Sequence, residues 1–104
     1  MTKAQVNIIE YMDEIKEGKG ICLVDCWAPW CGPCKGVDVL IQEAVGDMDI
    51  YIAKINVSER TDITEEYYIQ MIPTILIFVD GKLVDRITGR PDVKEIKEKI
   101  EEHT

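Results

Sequence analysis

Two cysteines separated by two residues are the feature of this sequence most able to do chemistry. Cys31 and Cys34 enclose a Gly-Pro pair and follow Trp30, which gives the string Trp-Cys-Gly-Pro-Cys. Thiols at this spacing can close a small disulfide ring and reopen it. The same spacing is half of a zinc site when a second pair of ligands lies nearby. The surrounding residues must therefore distinguish redox chemistry from metal binding.

Cys22 and Cys26 are the only further thiols that a metal could use. They fall in an apolar run that predicts a strand, where a rise of about 3.3 Å per residue places them about 13 Å apart. Ligands at that separation cannot share one tetrahedral ion with the Cys31–Cys34 pair unless the strand breaks. We therefore expect no metal. We interpret Cys22 and Cys26 as small buried apolar residues, the alternative being thiols for secondary oxidation or regulation.

A cysteine hydrolase would need a histidine base beside its thiol. The single histidine of the chain, His103, falls in the last turn of the sequence, where a frayed and solvated side chain is expected. Hydrolase chemistry is therefore not predicted.

The predicted start of a helix assigns different roles to the two cysteines. Cys31 is expected at the turn from strand to helix, where free backbone N–H groups and the helix dipole stabilise a thiolate. Pro33 is allowed in a first turn and stiffens the loop between the sulfurs. Cys34 is expected one turn further in and less accessible. Cys31 is thus predicted to attack and Cys34 to resolve.

Asp25 is a carboxylate inside the apolar run that precedes the cysteine pair. Because burial disfavours an unpaired charge, we expect its pKa to be raised, which makes Asp25 a candidate proton acceptor for Cys34. Lys54, on the next predicted strand, could reach this carboxylate. The alternative is a buried Asp–Lys pair with a purely structural role.

Apolar patterns along the chain predict alternating strands and helices. The predicted strands are 21–27, 50–57, 74–79 and 83–88, with an edge strand near 2–6. The predicted helices contain Ile8, Met12 and Ile15; Val37, Leu40, Ile41, Ala44 and Val45; Ile63 and Tyr67; and Val93, Ile96 and Ile100 after Gly89 and Pro91. Asp80-Gly81 predicts a two-residue hairpin turn, and Ser58 or Thr61 is expected to cap the short third helix.

Strands joined through helices pair in parallel by right-handed crossovers, whereas the hairpin adds antiparallel strands. The pattern therefore predicts an α/β fold, with a central mixed sheet of four to five strands flanked by helices on both faces. The 104 residues are expected to form one domain, 1–104.

The charge and the terminal residues bound the partners and the compartment. A net charge of −8 disfavours nucleic-acid binding. We see no signal peptide and no apolar stretch of the ~20 residues needed to span a bilayer. The expectation is a cytoplasmic monomer without membrane contact, in a compartment where close cysteines are more often catalytic than structural.

Several short motifs occur together at the separations found in one family. They are the run from Val24 to Lys35, Lys54-Ile55-Asn56-Val57, Ile72-Pro73-Thr74, Asp80-Gly81 and Gly89. On these residues the chain resembles the thioredoxin family over essentially its whole length. The resemblance implies the thioredoxin fold and a protein-disulfide reductase, a dithiol electron carrier with no cofactor other than its own Cys31–Cys34 disulfide.

The resemblance also implies partners and a client surface. Disulfide-containing client proteins would be the substrates, and a separate thioredoxin reductase would return the electrons, since no dinucleotide motif or P-loop is present. Pro73 would be the family's cis proline, facing the cysteine pair. The implied client surface comprises Trp30, Gly32, Pro33, Ile72, Pro73 and Gly89, whereas Trp27 is interpreted as a packing residue.

Two alternatives stay open. One keeps the fold but makes the chain an oxidant or isomerase, which the Gly-Pro pair between the cysteines disfavours by resemblance. The other is a non-catalytic binding module that uses the same face.

The chain departs from the family pattern at a few positions. Cys26 stands where phenylalanine is usual, and Arg90 where a small residue is usual, which places a cation near the client surface. Val39 stands where a kinking proline is common, so a straighter helix is expected, with Gly36 adding local looseness.

Overall fold

One mixed sheet organises the computed structural model, which describes the backbone of residues 5–8 together with residues 15 and 17–104. Its strands are β1 (Gln5–Ile8), β2 (Ile21–Trp27), β3 (Tyr51–Asn56), β4 (Thr74–Val79) and β5 (Lys82–Thr88). Their spatial order is β1-β3-β2-β4-β5. β3 pairs in parallel with β1 and β2, and β4 pairs antiparallel with β2 and β5. The predicted mixed sheet is confirmed.

The central strands are apolar on both faces because helices cover both sides of the sheet. Along β2, Ile21 and Leu23 point into one core cluster, whereas Cys22, Val24 and Cys26 point into the other. This alternation explains why the strand reads as an almost unbroken apolar run.

Three α-helices and one 3₁₀ turn have both ends within the described residues. They are the turn Gly32–Cys34, α1 (Val37–Val45), α2 (Thr61–Glu66) and α3 (Val93–Glu102). The apolar stripes of α1 and α3 pack in the cluster of Leu23. Ile63 of α2 packs with helical Ile15 in the opposite cluster. The prediction of helices on both faces is confirmed.

The N-terminal prediction is only partly confirmed. The edge strand lies at Gln5–Ile8, so Ile8 is the last residue of a strand and not part of the predicted helix. Hydrogen bonding to β3 decides this, because Ile8 is in register with Lys54. Met12 lies outside the described residues.

The turns and caps follow the local chemistry, with one exception. Asp80 and Gly81 both have positive φ (51° and 84°), as a two-residue hairpin turn requires. At α3, Asp92 is the N-cap and forms a capping box with Glu95. The expected cap of α2 is wrong: its N-cap is Arg60. 

Ser58 instead belongs to the turn after β3. Its backbone N–H and its hydroxyl both donate to Asn56 Oδ1, at 3.0 and 2.6 Å. Thr61, the other expected cap, is already the first residue of α2.

Candidate active site

The cysteine pair lies where the chain leaves the end of β2. Cys31 precedes the 3₁₀ turn as its N-cap, and it forms a disulfide with Cys34 across a Cα–Cα distance of 5.4 Å. The amide of Cys34 donates to the carbonyl of Cys31 at 3.3 Å, and the amide of Lys35 donates to the carbonyl of Gly32 at 3.1 Å. The predicted location of Cys31 just before the first helical residue is confirmed.

The helix that follows is not continuous with this turn. Lys35 has an extended ψ of 132°, and Gly36 has a φ of +78° before α1 begins at Val37. The chain breaks at Gly36, where glycine adopts positive φ without strain, and α1 is continuous through Val39. The expectation of a straighter helix stays a prediction. Because α1 starts only at Val37, its N-terminal N–H groups lie further along the chain than Cys31.

The predicted difference in accessibility between the cysteines is also wrong. Cys31 is 5% exposed and Cys34 is 7% exposed. Both pack with Ala28, and Trp27 and Ile72 pack against this cluster. The sulfurs differ in their neighbours instead: Cys31 Sγ lies 3.8 Å from the carbonyl oxygen of Ile72.

Asp25 is buried beside this pair. It is 1% exposed, and its Oδ1 atom has no hydrogen-bond partner among the described residues. Asp25 lines a cavity of about 200 Å³ together with Cys31 and Cys34. Burial raises its pKa to about 7, with the charge of Lys54 lowering it and that of Asp38 raising it. The expected rise in pKa is thus present, and its main cause is desolvation.

Lys54 does not form the ion pair that was the structural alternative for Asp25. The two residues are in register on β2 and β3, yet the Lys54 ammonium lies 3.4 Å from Asp38 Oδ2 in the first turn of α1. Nζ also lies 5.2 Å from the centroid of the Trp27 ring. The Asp38 side chain is partly exposed, so pairing with it costs less desolvation than a fully buried ion pair between Lys54 and Asp25 would. Lys54 acts on Asp25 through its charge alone.

We expect Lys54→Met to raise the pKa of Asp25 above about 7, because the variant removes the cation that lowers it and leaves Asp38 in place. Titration of the Asp25 carboxyl carbon by NMR measures this. Lys82→Met, which removes an exposed cation at the hairpin, is the control. An Asp25 pKa that stays the same or falls in Lys54→Met would contradict the assigned coupling.

The residues of the predicted client surface gather around the disulfide. Trp30 is 74% exposed, and Gly32 and Pro33 beside it are exposed as well. The Ile72–Pro73 peptide bond is cis, as the resemblance implied. The resemblance implied that Pro73 faces the cysteine pair, and its neighbour Ile72 contacts Cys31 through its carbonyl oxygen. Ile72 and Pro73 thus form a wall beside the disulfide.

Pro73 and Gly89 complete this wall. The amide of Gly89 donates to the carbonyl oxygen of Pro73 at 2.9 Å, and Gly89 has a φ of +87°. Pro73 itself is buried, so it supports the surface more than it forms it.

Three residues of the site were not predicted, or were predicted only in outline. Asp38 partners Lys54 and affects Asp25; its place in the first turn of α1, close after Cys34 in sequence, is the signal that could have found it. Met71 is 54% exposed and lines a groove with Trp30. Arg90 was expected only as a cation near the surface, but its guanidinium binds backbone carbonyls of the cysteine turn.

The remaining cysteines and the histidine lie in other surroundings. Burial raises the pKa of Cys22 and of Cys26 to about 12, so both stay protonated, in line with small buried apolar residues. The expectation of a solvated His103 is wrong: its Nε2 lies 3.1 Å from Asp85 Oδ2, which Lys99 also contacts at 3.0 Å. The Asp85 carboxylate thus joins the last turn of α3 to β5.

No helix within the described part of the chain has both the length and the apolar character needed to cross a membrane.

Comparison with known proteins identifies the family. The family model Thioredoxin matches residues 2–102. The chain is 40% identical to Thioredoxin 2 of Chlorobaculum tepidum over 95 residues, which cover 89% of this chain and 87% of that protein. It is 35% identical to the thioredoxin of Staphylococcus saprophyticus over 105 residues, 99% of both chains.

Solved structures agree with these matches. A thioredoxin from Nicotiana alata superposes with a TM-score of 0.81 at 29% identity, covering 99% of this chain and 96% of that one. A thioredoxin variant from Halobacterium salinarum gives a TM-score of 0.83 at 27% identity, covering 98% and 91%. With its disulfide at the end of a central strand, the chain is a thiol–disulfide oxidoreductase and belongs to the thioredoxin family.

Proposed function

We propose that the chain reduces disulfides of client proteins, with Cys31 as the attacking thiolate and Cys34 as the resolving thiol. The observation that carries this assignment is the contact of Cys31 Sγ with the carbonyl oxygen of Ile72, at 3.8 Å, because Ile72 belongs to the client surface that the resemblance implies. A client that docks on Trp30 and Ile72 reaches Cys31 across this contact.

In the first step, the Cys31 thiolate attacks one sulfur of the client disulfide. A bond forms between Cys31 Sγ and that sulfur, and the client S–S bond breaks. The second client sulfur leaves as a thiolate and takes up a proton. The product is a mixed disulfide between Cys31 and the client.

In the second step, Cys34 releases the client. Its thiol proton passes to the Asp25 carboxylate, which lines the same cavity and, with a pKa of about 7, exchanges protons near neutral pH. The Cys34 thiolate then attacks Cys31 Sγ and re-forms the Cys31–Cys34 disulfide. The bond between Cys31 Sγ and the first client sulfur breaks, and that sulfur leaves as a thiolate and takes up a proton, so two electrons have passed from the chain to the client.

A separate thioredoxin reductase supplies the two electrons that reopen the disulfide. We propose that this cycle needs no cofactor in the chain itself and runs on a monomer in the cytoplasm, a compartment whose poise keeps such a dithiol reduced. The charge of −8 argues against nucleic acid as a partner. A Cys31–Cys34 reduction potential near that of periplasmic oxidants would instead favour the alternative of an oxidant.

The role assignment predicts opposite behaviour for the two single cysteine variants. Cys34→Ser is expected to accumulate mixed disulfides with clients, because Cys31 still attacks and nothing resolves the intermediate. Non-reducing electrophoresis and mass spectrometry of the adducts measure this. Cys31→Ser is the matched variant, since it keeps Cys34 alone. Adducts through Cys34 that equal or exceed those through Cys31 would reverse the assignment.

A further inference from the structure

Arg90 connects the loop after β5 to the backbone of the cysteine turn. Its Nη1 atom donates to the carbonyl oxygen of Pro33 at 2.9 Å and to that of Lys35 at 2.6 Å. Its Nη2 atom lies 3.7 Å from the position that a Cβ atom on Gly36 would occupy. One exposed side chain thus donates to two backbone carbonyls of the segment between Pro33 and Gly36.

These contacts are made where the chain is interrupted. Between the 3₁₀ turn and α1, Lys35 is extended and Gly36 has positive φ. Carbonyl groups at the end of a helical turn need donors from elsewhere, and a guanidinium offers several in a fixed plane. Arg90 therefore supplies donors at the break in the backbone that follows Cys34.

The loop that carries Arg90 is itself tied to the opposite side of the disulfide. Gly89, its neighbour, donates to the carbonyl of Pro73, and the adjacent Ile72 carbonyl lies beside Cys31 Sγ. The contacts therefore form a ring around the active site, from Cys31 through the Ile72–Pro73 wall and the loop back to Pro33.

We propose that Arg90 is a positioning residue for the Cys31–Cys34 couple, which holds the cysteine turn in place when its disulfide is open. In the oxidised protein, the covalent bond already joins Cys31 to Cys34, so the guanidinium contacts are partly redundant. In the dithiol, the turn loses this constraint, and ordering its backbone carries an entropic cost. The Arg90 contacts then contribute more to the dithiol than to the disulfide.

The sign of the expected effect follows from this difference. Removing the contacts destabilises the dithiol more than the disulfide, so the equilibrium with glutathione moves toward the protein disulfide and oxidised glutathione is reduced to two glutathione thiols. Two hydrogen bonds to backbone carbonyls support a shift on the order of three- to tenfold in the equilibrium constant. The variant is thus a stronger reductant than the parent.

Arg90→Met tests the proposal in the full chain. We expect the three- to tenfold shift toward the disulfide in glutathione redox buffers at neutral pH. We also expect faster hydrogen exchange of the Lys35 amide, which donates to Gly32, with a larger increase in the dithiol than in the disulfide. Lys82→Met removes one exposed cation at the other end of β5 and is expected to change neither quantity.

Three results would overturn the proposal. The first is an unchanged or oppositely shifted glutathione equilibrium in Arg90→Met. The second is Lys35 exchange that increases equally in both redox states, which would mean a general structural role. The third is a shift that disappears in 1 M salt, where the Debye length is about 3 Å, because this would assign the effect to the charge of Arg90 and not to its hydrogen bonds. Each result leaves the disulfide reduction by Cys31 itself intact and is therefore distinct from a failure of the proposed function.

Discussion

Replacement of Cys31 by serine is expected to lower the rate of client-disulfide reduction to that of the uncatalysed reaction. The attacking species in thiol–disulfide exchange is a thiolate, and a serine hydroxyl stays protonated at neutral pH and forms no disulfide. Reduction of insulin disulfides by dithiothreitol, with and without the protein, measures the loss.

The matched control for this variant is Cys22→Ser, which removes a buried thiol outside the site. Its pKa of about 12 keeps the Cys22 side chain protonated, so this variant is expected to retain its activity. Activity of Cys31→Ser above the uncatalysed rate would contradict the mechanism. If Cys31→Ser also left function intact in cells, the alternative of a non-catalytic binding module would be favoured.

Replacement of Asp25 by asparagine is expected to stabilise the oxidised protein above pH 7 and to slow release of mixed disulfides. Asp25 is 1% exposed, and desolvation raises its pKa from 3.8 to about 7. Between pH 3.8 and about pH 7, Asp25 is therefore protonated in the folded state and ionised in the unfolded state. The free energy of unfolding of the parent therefore falls as the pH rises from about 4 to about 7.

The asparagine variant lacks this loss because its amide does not ionise. Each unit of pKa difference corresponds to about 1.4 kcal/mol, so the variant is expected to exceed the parent by up to about 4 kcal/mol at pH 8 and by little near pH 4. Resolution slows for a separate reason: the amide cannot accept the Cys34 proton.

Urea unfolding of the disulfide form at pH 4 and at pH 8 measures the stability difference, and in this form Cys31 and Cys34 do not titrate. Asp47→Asn, which changes an exposed carboxylate in the same way, is the control and is expected to keep the pH profile of the parent because it retains Asp25. An Asp25→Asn variant with the same pH profile as the parent would show that Asp25 does not titrate as a buried acid. Stopped-flow measurement of client release reports the second effect.

Much of the fold was predictable because local patterns encode it. The bounds of β2 and β4 match the predicted ranges, since each strand is buried on both faces and is apolar at almost every position. The Asp80-Gly81 turn was predictable because its two positive φ angles need such residues. The N-cap of α2 was not predictable in this way. A Ser or Thr near the start of a helix caps it only when the preceding turn places its side-chain oxygen beside the free N–H groups of the first helical turn.

Parts of the site were also predictable from neighbouring residues alone. A carboxylate within an apolar run had to be buried, and the raised pKa of Asp25 follows from that burial. The spacing of Cys31 and Cys34 allows a disulfide, and the strand separation of Cys22 and Cys26 disfavoured the alternative of a metal site. The burial of Cys31 did not follow, because residues far along the chain cover it: Ile72, which packs beside both cysteines, comes from the segment before β4.

The sequence by itself determined the chemistry: two thiols at disulfide spacing, and an acid among apolar residues at the end of a strand. Only the tertiary structure decided how these groups are held. Lys54 pairs with Asp38 and not with Asp25, His103 docks on Asp85, and Arg90 bonds to Pro33 across 57 residues of chain. The physical reason is that spacing and periodicity act between near neighbours, whereas the partner of a charged side chain depends on which distant residues packing brings within reach and on how much water each pair must lose.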